Sequence, residues 1–109
     1  MKSDVVYLRH ILDAIQKIES YVSVGQETFM STSHWQDAVI RQLEIIGEAT
    51  KRLSPAVRHR YPQIPWKRIA GLRDVLIHDY LGVDLSLVWR ITQTYLPDLK
   101  HQVEAILTE

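Results

Sequence analysis

At 109 residues, with 46% hydrophobic and 24% charged residues, the chain has the makeup of one compact domain over 1–109 and none of the marks of disorder. The absence of cysteine excludes disulfides, thiolate metal sites and a cysteine nucleophile, leaving the redox compartment open. A formal net charge of +0 gives no global hint of a nucleic-acid partner. Met1 leads through Lys2-Ser3-Asp4 into a mixed polar and apolar pattern with no long apolar run. Neither a signal peptide nor a membrane span is expected, and a cytoplasmic location is the default.

Leu8, Ile11, Leu12, Ile15, Ile18 and Val22 recur at helical spacing and predict a first long helix over about 4–24. Residues 23–33, with Gly25 and small polar side chains, read as a connection from which Phe29 packs back onto the core. Ser33 followed by Gln36 has the form of a capping box, and Trp35, Val39, Leu43, Ile46, Ala49 and Leu53 predict a second helix over about 34–53. Gly47 inside it suggests close approach of a partner backbone. On the polar face, Asp37 with Arg41 and Glu48 with Arg52 stand at ion-pair spacing, although Glu48 is also a candidate to face an active site.

Ser54-Pro55 predicts a cap and the start of a short turn of helix that ends at Tyr61-Pro62. After Ile64-Pro65, a third substantial helix is expected over 66–78. Gly82 should break the chain and Asp84 recap it, and Val88, Ile91, Tyr95, Leu99, Val103 and Ile106 outline a last helix that Pro97 kinks or divides. The expected fold is all-α: an up-and-down bundle of four long helices plus a short fifth. Dimerisation is reasonable for so small a domain, with Trp35, Trp66 and Trp89 serving as core or as interface anchors.

The charges are unevenly placed. From Lys51 to Arg73 there are seven Lys or Arg and no Asp or Glu. That segment is either a polyanion-binding surface or a solvated basic loop. It runs into Gly71-Leu72-Arg73-Asp74-Val75-Leu76-Ile77-His78-Asp79-Tyr80. The spacing of Arg73, His78 and Tyr80 resembles the Arg-x4-His-x-Tyr motif of the HepT-like toxins, in the HEPN superfamily of small helical ribonucleases. Ile46-Gly47-Glu48-Ala49, Gly82-Val83-Asp84, Val88-Trp89 and Leu96-Pro97 extend the resemblance over nearly the whole chain. Asp74 departs from it, because many relatives carry asparagine beside the arginine.

His78 is able to take or give a proton near neutral pH, and the Arg73 guanidinium matches phosphate oxygens. Tyr80 can donate a hydrogen bond or stack on a base. In an unbroken helix Tyr80 falls nearly above Arg73 while His78 lies about 140° away, so the three do not converge. Either the helix ends near His78, or Arg and His from different protomers meet. The resemblance implies a homodimer with a composite site in its cleft, metal-independent RNA cleavage by Arg73 and His78, and no cofactor. It also implies a partner, a minimal nucleotidyltransferase antitoxin that moves AMP from ATP onto Tyr80, and it allows a larger hetero-oligomer with that partner.

The alternative is a noncatalytic helical module that binds nucleotide or RNA or docks a nucleotidyltransferase. A structural dimer without a ligand is the third reading. His10, His34, His59, His78 and His101 are scattered and form no metal-site pattern. His34, His59 and His101 are expected on the surface or at an interface.

Overall fold

The computed structural model describes residues 2–77 and 82–109. Every regular element among them is helical: α1 (Lys2–Val22), α2 (Gln26–Ser31), α3 (Ser33–Lys51), α4 (Pro55–Arg60), α5 (Trp66–Ala70), α6 (Leu72–Ile77), α7 (Leu85–Arg90), a π turn (Ile91–Tyr95) and α8 (Leu96–Leu107). The all-α expectation holds. The division into four long helices and one short one does not.

Two of the expected long helices form where the periodicity places them. Helix α1 buries Leu8, Ile11, Ile15 and Ile18, and α3 answers with Val39, Leu43 and Ile46, all within one core with Leu96, Leu99 and Val103 of α8. Helices α1 and α3 pack along each other, and Lys100 of α8 reaches Glu19 of α1 at 3.0 Å. No helix among the described residues is long and apolar enough to cross a membrane.

The connection after α1 contains a helix that was not anticipated. Gly25 turns the chain at φ +93, and α2 follows, delivering the fully buried Phe29 against the ring of Trp89. The capping box fails here. Thr32 occupies the cap position of α3 without a side-chain bond, and Gln36 instead donates to the Phe29 carbonyl at 2.9 Å. A carbonyl left over at the end of α2 takes the donor that would otherwise have joined the cap.

The chain is better anchored at the far end of α3. Ser54 caps α4 by accepting from the Val57 amide, and Pro55 opens that helix as read from the sequence. Asp4, buried near the start of α1, accepts from both the Ser54 amide at 2.8 Å and the Ser54 hydroxyl at 2.7 Å. A buried carboxylate thus receives two donors, and the cap is locked to a helix fifty residues away.

The third substantial helix is two short ones, divided at Gly71, whose amide is shared between the Lys67 and Arg68 carbonyls. Such sharing is common at helix ends. Beyond the undescribed segment, Gly82 sits at φ +131 and Asp84 caps α7 through the Leu87 amide at 3.0 Å. The last helix is divided, as Pro97 suggests, and the device is a π turn. The proline has no amide to give and its ring crowds the preceding turn. Leu96 bonds to the Ile91 carbonyl five residues back, while the Thr92 and Thr94 hydroxyls donate to the Trp89 and Arg90 carbonyls.

The ion pairs on α3 differ from those expected. Arg41 reaches Glu44 at 4.0 Å rather than Asp37, and Glu48 pairs with Lys51 at 3.7 Å. Trp66 is buried, and Trp35 and Trp89 are half-buried against the core.

Two predictions follow from the backbone and the cap. Asp4→Ala should lower unfolding stability by about 2 kcal/mol, because it strands two donors in a partly buried site; urea denaturation measures it. Gly71 has helical angles, and an added Cβ would meet only ordinary contacts of 3.5 and 3.6 Å. Gly71→Ala should therefore gain about 0.5–1 kcal/mol, whereas Gly82→Ala should cost about 1–3 kcal/mol at its positive φ. Thermal melts of the two variants should move in opposite directions.

Candidate functional site

The site must be built on the segment from α4 to α7, since that is where the basic run and the motif lie. Helix α5 is anchored by buried Trp66 and Ile69, and the Trp66 indole donates to the Tyr61 carbonyl at 3.0 Å. Helix α6 is anchored by buried Leu76, and both helices pack against α3. Arg73 falls in the first turn of α6, directly after Gly71-Leu72, and the adjoining Asp74 is exposed. The Arg73 side chain lies outside the described part of the structure, as do His78 and Tyr80 entirely. The geometry by which the three would converge therefore belongs to undescribed residues, bracketed by α6 and by the Gly82–Asp84 recap.

The basic run separates into three environments. Arg52 lines a cleft of about 390 Å³ between α1 and α3, with Tyr7, His10, Arg41, Glu44 and Glu48, a mixed-charge surface. Arg60 is drawn to the last residue of the chain. It approaches Glu109 at 3.8 Å, lies over the Tyr61 ring, and the Tyr61 hydroxyl donates to the same carboxylate. Arg58, Lys67 and Arg68 line a third region, an open cleft of about 620 Å³ walled by Pro62, Ile64, Pro65 and Trp66.

Arg58 was not singled out from the sequence beyond its place in that run. Its Nη2 donates to the Thr50 carbonyl at 2.7 Å, at the C-terminal turn of α3 where a cation is favoured, and its buried Nε has no hydrogen-bond partner. An apolar groove of about 480 Å³ was likewise missed. It runs between α5–α6 and the last helical run, lined by Ile69, Leu72, Leu87, Ile91, Tyr95 and Leu99 among others. Its residues come from both sides of the motif, so no local pattern announces it.

His10, His34, His59 and His101 are exposed, and His34 stacks obliquely on Trp35. Among the described residues no group of three or more His, Asp or Glu side chains is placed to hold a metal ion.

Residues 11–106 match the family model described as "Ribonuclease HepT-like", a span that includes α3, the basic segment and the motif. The chain belongs to the HepT-like ribonuclease family. Two relatives named as ribonucleases match this chain over nearly their whole length. The chain is similar to "Probable ribonuclease HepT" of Thermococcus cleftensis, 41% identical over 101 residues and covering 92% of each protein. It is 41% identical over 108 residues to a candidate RNase of Caldanaerobacter subterraneus subsp. tengcongensis, covering 98% of this chain and 96% of the relative. A gamma-glutamylcyclotransferase and candidate RNase of Methanocaldococcus jannaschii is 45% identical over 111 residues. There the match takes in all of this chain but spans only 50% of the relative's length. No solved structure gives a significant match.

For this HepT-like chain the indole bond of Trp66 is the described contact that most directly positions the motif-bearing segment. Trp66→Phe keeps an aromatic ring but removes one of two donors to the Tyr61 carbonyl, which still accepts from the Ile64 amide at 3.2 Å. A loss of about 0.5–1.5 kcal/mol is expected in urea denaturation, and an unchanged midpoint would show that the indole bond does not contribute.

Proposed function

We propose that the protein is a metal-independent endoribonuclease acting as the toxin of a toxin–antitoxin pair, with Arg73 and His78 as its catalytic residues. The observation that carries this reading is the order Arg73-x4-His78-x-Tyr80 within a chain that matches the HepT-like ribonuclease model over residues 11–106. Family membership supports an RNA substrate and a nuclease of the HEPN type. The residue roles follow from chemistry.

Cleavage without a metal requires removal of the ribose 2′-hydroxyl proton, attack of that oxygen on the adjacent phosphorus, and protonation of the leaving 5′-oxygen. The bond from phosphorus to the 5′-oxygen breaks as the 2′,3′-cyclic phosphate forms. His78 supplies one of the two proton transfers near neutral pH. Arg73, always charged, holds the phosphoryl oxygens as negative charge builds on them. A homodimer whose cleft combines residues of both copies resolves the poor convergence of the motif along a single helix. The single domain over 1–109 would act in the cytoplasm.

Tyr80 is the proposed point of control. A minimal nucleotidyltransferase antitoxin transfers AMP from ATP to its phenolic oxygen and releases pyrophosphate. The added phosphate stands two residues from His78, fills the space of the scissile phosphate and repels RNA by charge.

Arg73→Ala and His78→Ala should each lower the rate of RNA cleavage in EDTA by about 10²–10⁴-fold while the fold survives. Cleavage at the wild-type rate by either variant would remove that residue from the mechanism. With antitoxin and ATP, the intact mass of the wild type should rise by one AMP and that of Tyr80→Phe should stay unchanged. An AMP adduct on Tyr80→Phe would exclude Tyr80 as the sole acceptor.

A further inference from the structure

We infer that the cleft between α4 and α5, lined by Arg58, Lys67 and Arg68, is a second phosphodiester site, which grips the RNA backbone beside the scissile position. This rests on the ribonuclease reading above and adds to it where substrate is held.

Three features of the cleft carry the inference. First, its lining contains three cations and no carboxylate. Lys67 and Arg68 are exposed and have no ion pair among the described residues, whereas Lys51 and Arg60 of the same basic run are paired with Glu48 and Glu109. Asp98 shares the apolar groove with Arg68 but does not line this cleft.

Second, Arg58 is held in place before any ligand arrives. Its Nη2 is fixed to the Thr50 carbonyl at 2.7 Å, so the guanidinium is ordered, and what it offers the cleft is its charge rather than the buried Nε. A pre-ordered planar fork loses little freedom on meeting a phosphate and suits its geometry. Third, Pro62 and Pro65 form exposed walls that offer no amide donors. The cleft is a cationic surface suited to backbone phosphates, the kind of contact that positions a strand.

Placement favours a strand over a small anion. Arg68 precedes Arg73 by only five residues, with the Gly71 break between α5 and α6 turning the chain between them. A strand bound at Arg73 would pass the cleft within a short stretch of its backbone. The phosphodiester of an RNA chain and the phosphates of a free nucleotide share this chemistry, and the test separates them.

The probe is a 12-nucleotide single strand with 2′-O-methyl groups, which removes the attacking hydroxyl so that binding is read without cleavage. Fluorescence anisotropy is followed over a salt series for wild type, the double variant K67Q/R68Q and the control R60Q, each checked for an unchanged thermal melt. The double variant should bind about tenfold more weakly near 0.1 M salt, and its slope of log K against log salt should be shallower by about 1.4, at about 0.7 per lost phosphate contact. The control should match wild type. Equal affinity and slope for the double variant overturn the site, as does an equal loss in R60Q, which would mean that any surface charge suffices.

Two further arms keep the failures apart. Loss of ATP affinity in K67Q/R68Q with RNA binding retained assigns the cleft to a free nucleotide and overturns the strand site. Wild type that cuts unmodified RNA while K67Q/R68Q keeps the wild-type slope removes the second site and leaves the ribonuclease reading standing. Wild type that neither binds nor cuts RNA removes both.

Discussion

Helix α3 has to bury two faces, and much of the rest is arranged to let it. One face packs Val39, Leu43 and Ile46 into the core shared with Leu8, Ile11, Ile15 and Ile18 of α1. The other carries α5 and α6, and with them the start of the motif. Apolar burial on the first face supplies the driving force, since full burial of each such side chain contributes on the order of 1.5–3 kcal/mol against exposure. The second face inherits its position. A change that shifts α3 along α1 moves the motif segment with it.

Polar contacts fix the ends of that packing. Asp4 ties the first turn of α1 to the cap of α4, and Arg58 of α4 returns to the Thr50 carbonyl at the end of α3. The loop after α3 is thereby clasped from two sides, and the chain leaves it in a set direction. From there Trp66 and Tyr61 lock α5, Gly71 breaks the helix just ahead of Arg73, and Gly82 with Asp84 restarts the chain on the far side. A short helix after the Gly71 break thus carries the start of the motif. The π turn before Pro97 serves the last helix similarly, since it lets Val88 and Val103 lie in one core despite a proline between them.

Much of this was legible wherever a single side chain's chemistry decides the local structure. The apolar spacing of α1 and α3, the Ser54-Pro55 start, the Asp84 cap and the inward Phe29 all stand as read. The misses share a cause in competition from elsewhere in the fold. Gln36 was free to join a cap or to bond the Phe29 carbonyl, and that choice depends on α2, whose small polar residues give no clear periodic signal. The expected Glu48–Arg52 and Asp37–Arg41 spacings give way to shorter reaches along the same helix. The basic run read as one feature, yet Arg60 is claimed by Glu109 from the end of the chain, leaving Arg58, Lys67 and Arg68 to form the open cleft. Arg73, His78 and Tyr80 were legible as residue types in a given order, and the segment that carries His78 and Tyr80 lies outside the described residues.

Membership in the HepT-like ribonucleases and the chemistry of an arginine with a histidine lead to one central claim: the ribose 2′-oxygen is the nucleophile. Two oligonucleotides that differ only by a 2′-deoxy sugar at the mapped cleavage position, incubated with unmodified wild-type protein in excess EDTA, test this most directly. The account predicts that the all-ribose strand is cut to an end carrying a 2′,3′-cyclic phosphate, identified by mass, and that the deoxy-substituted strand stays intact at that position. Cutting of the deoxy-substituted strand there at a comparable rate would contradict it, because a nucleophile other than the ribose would then be at work.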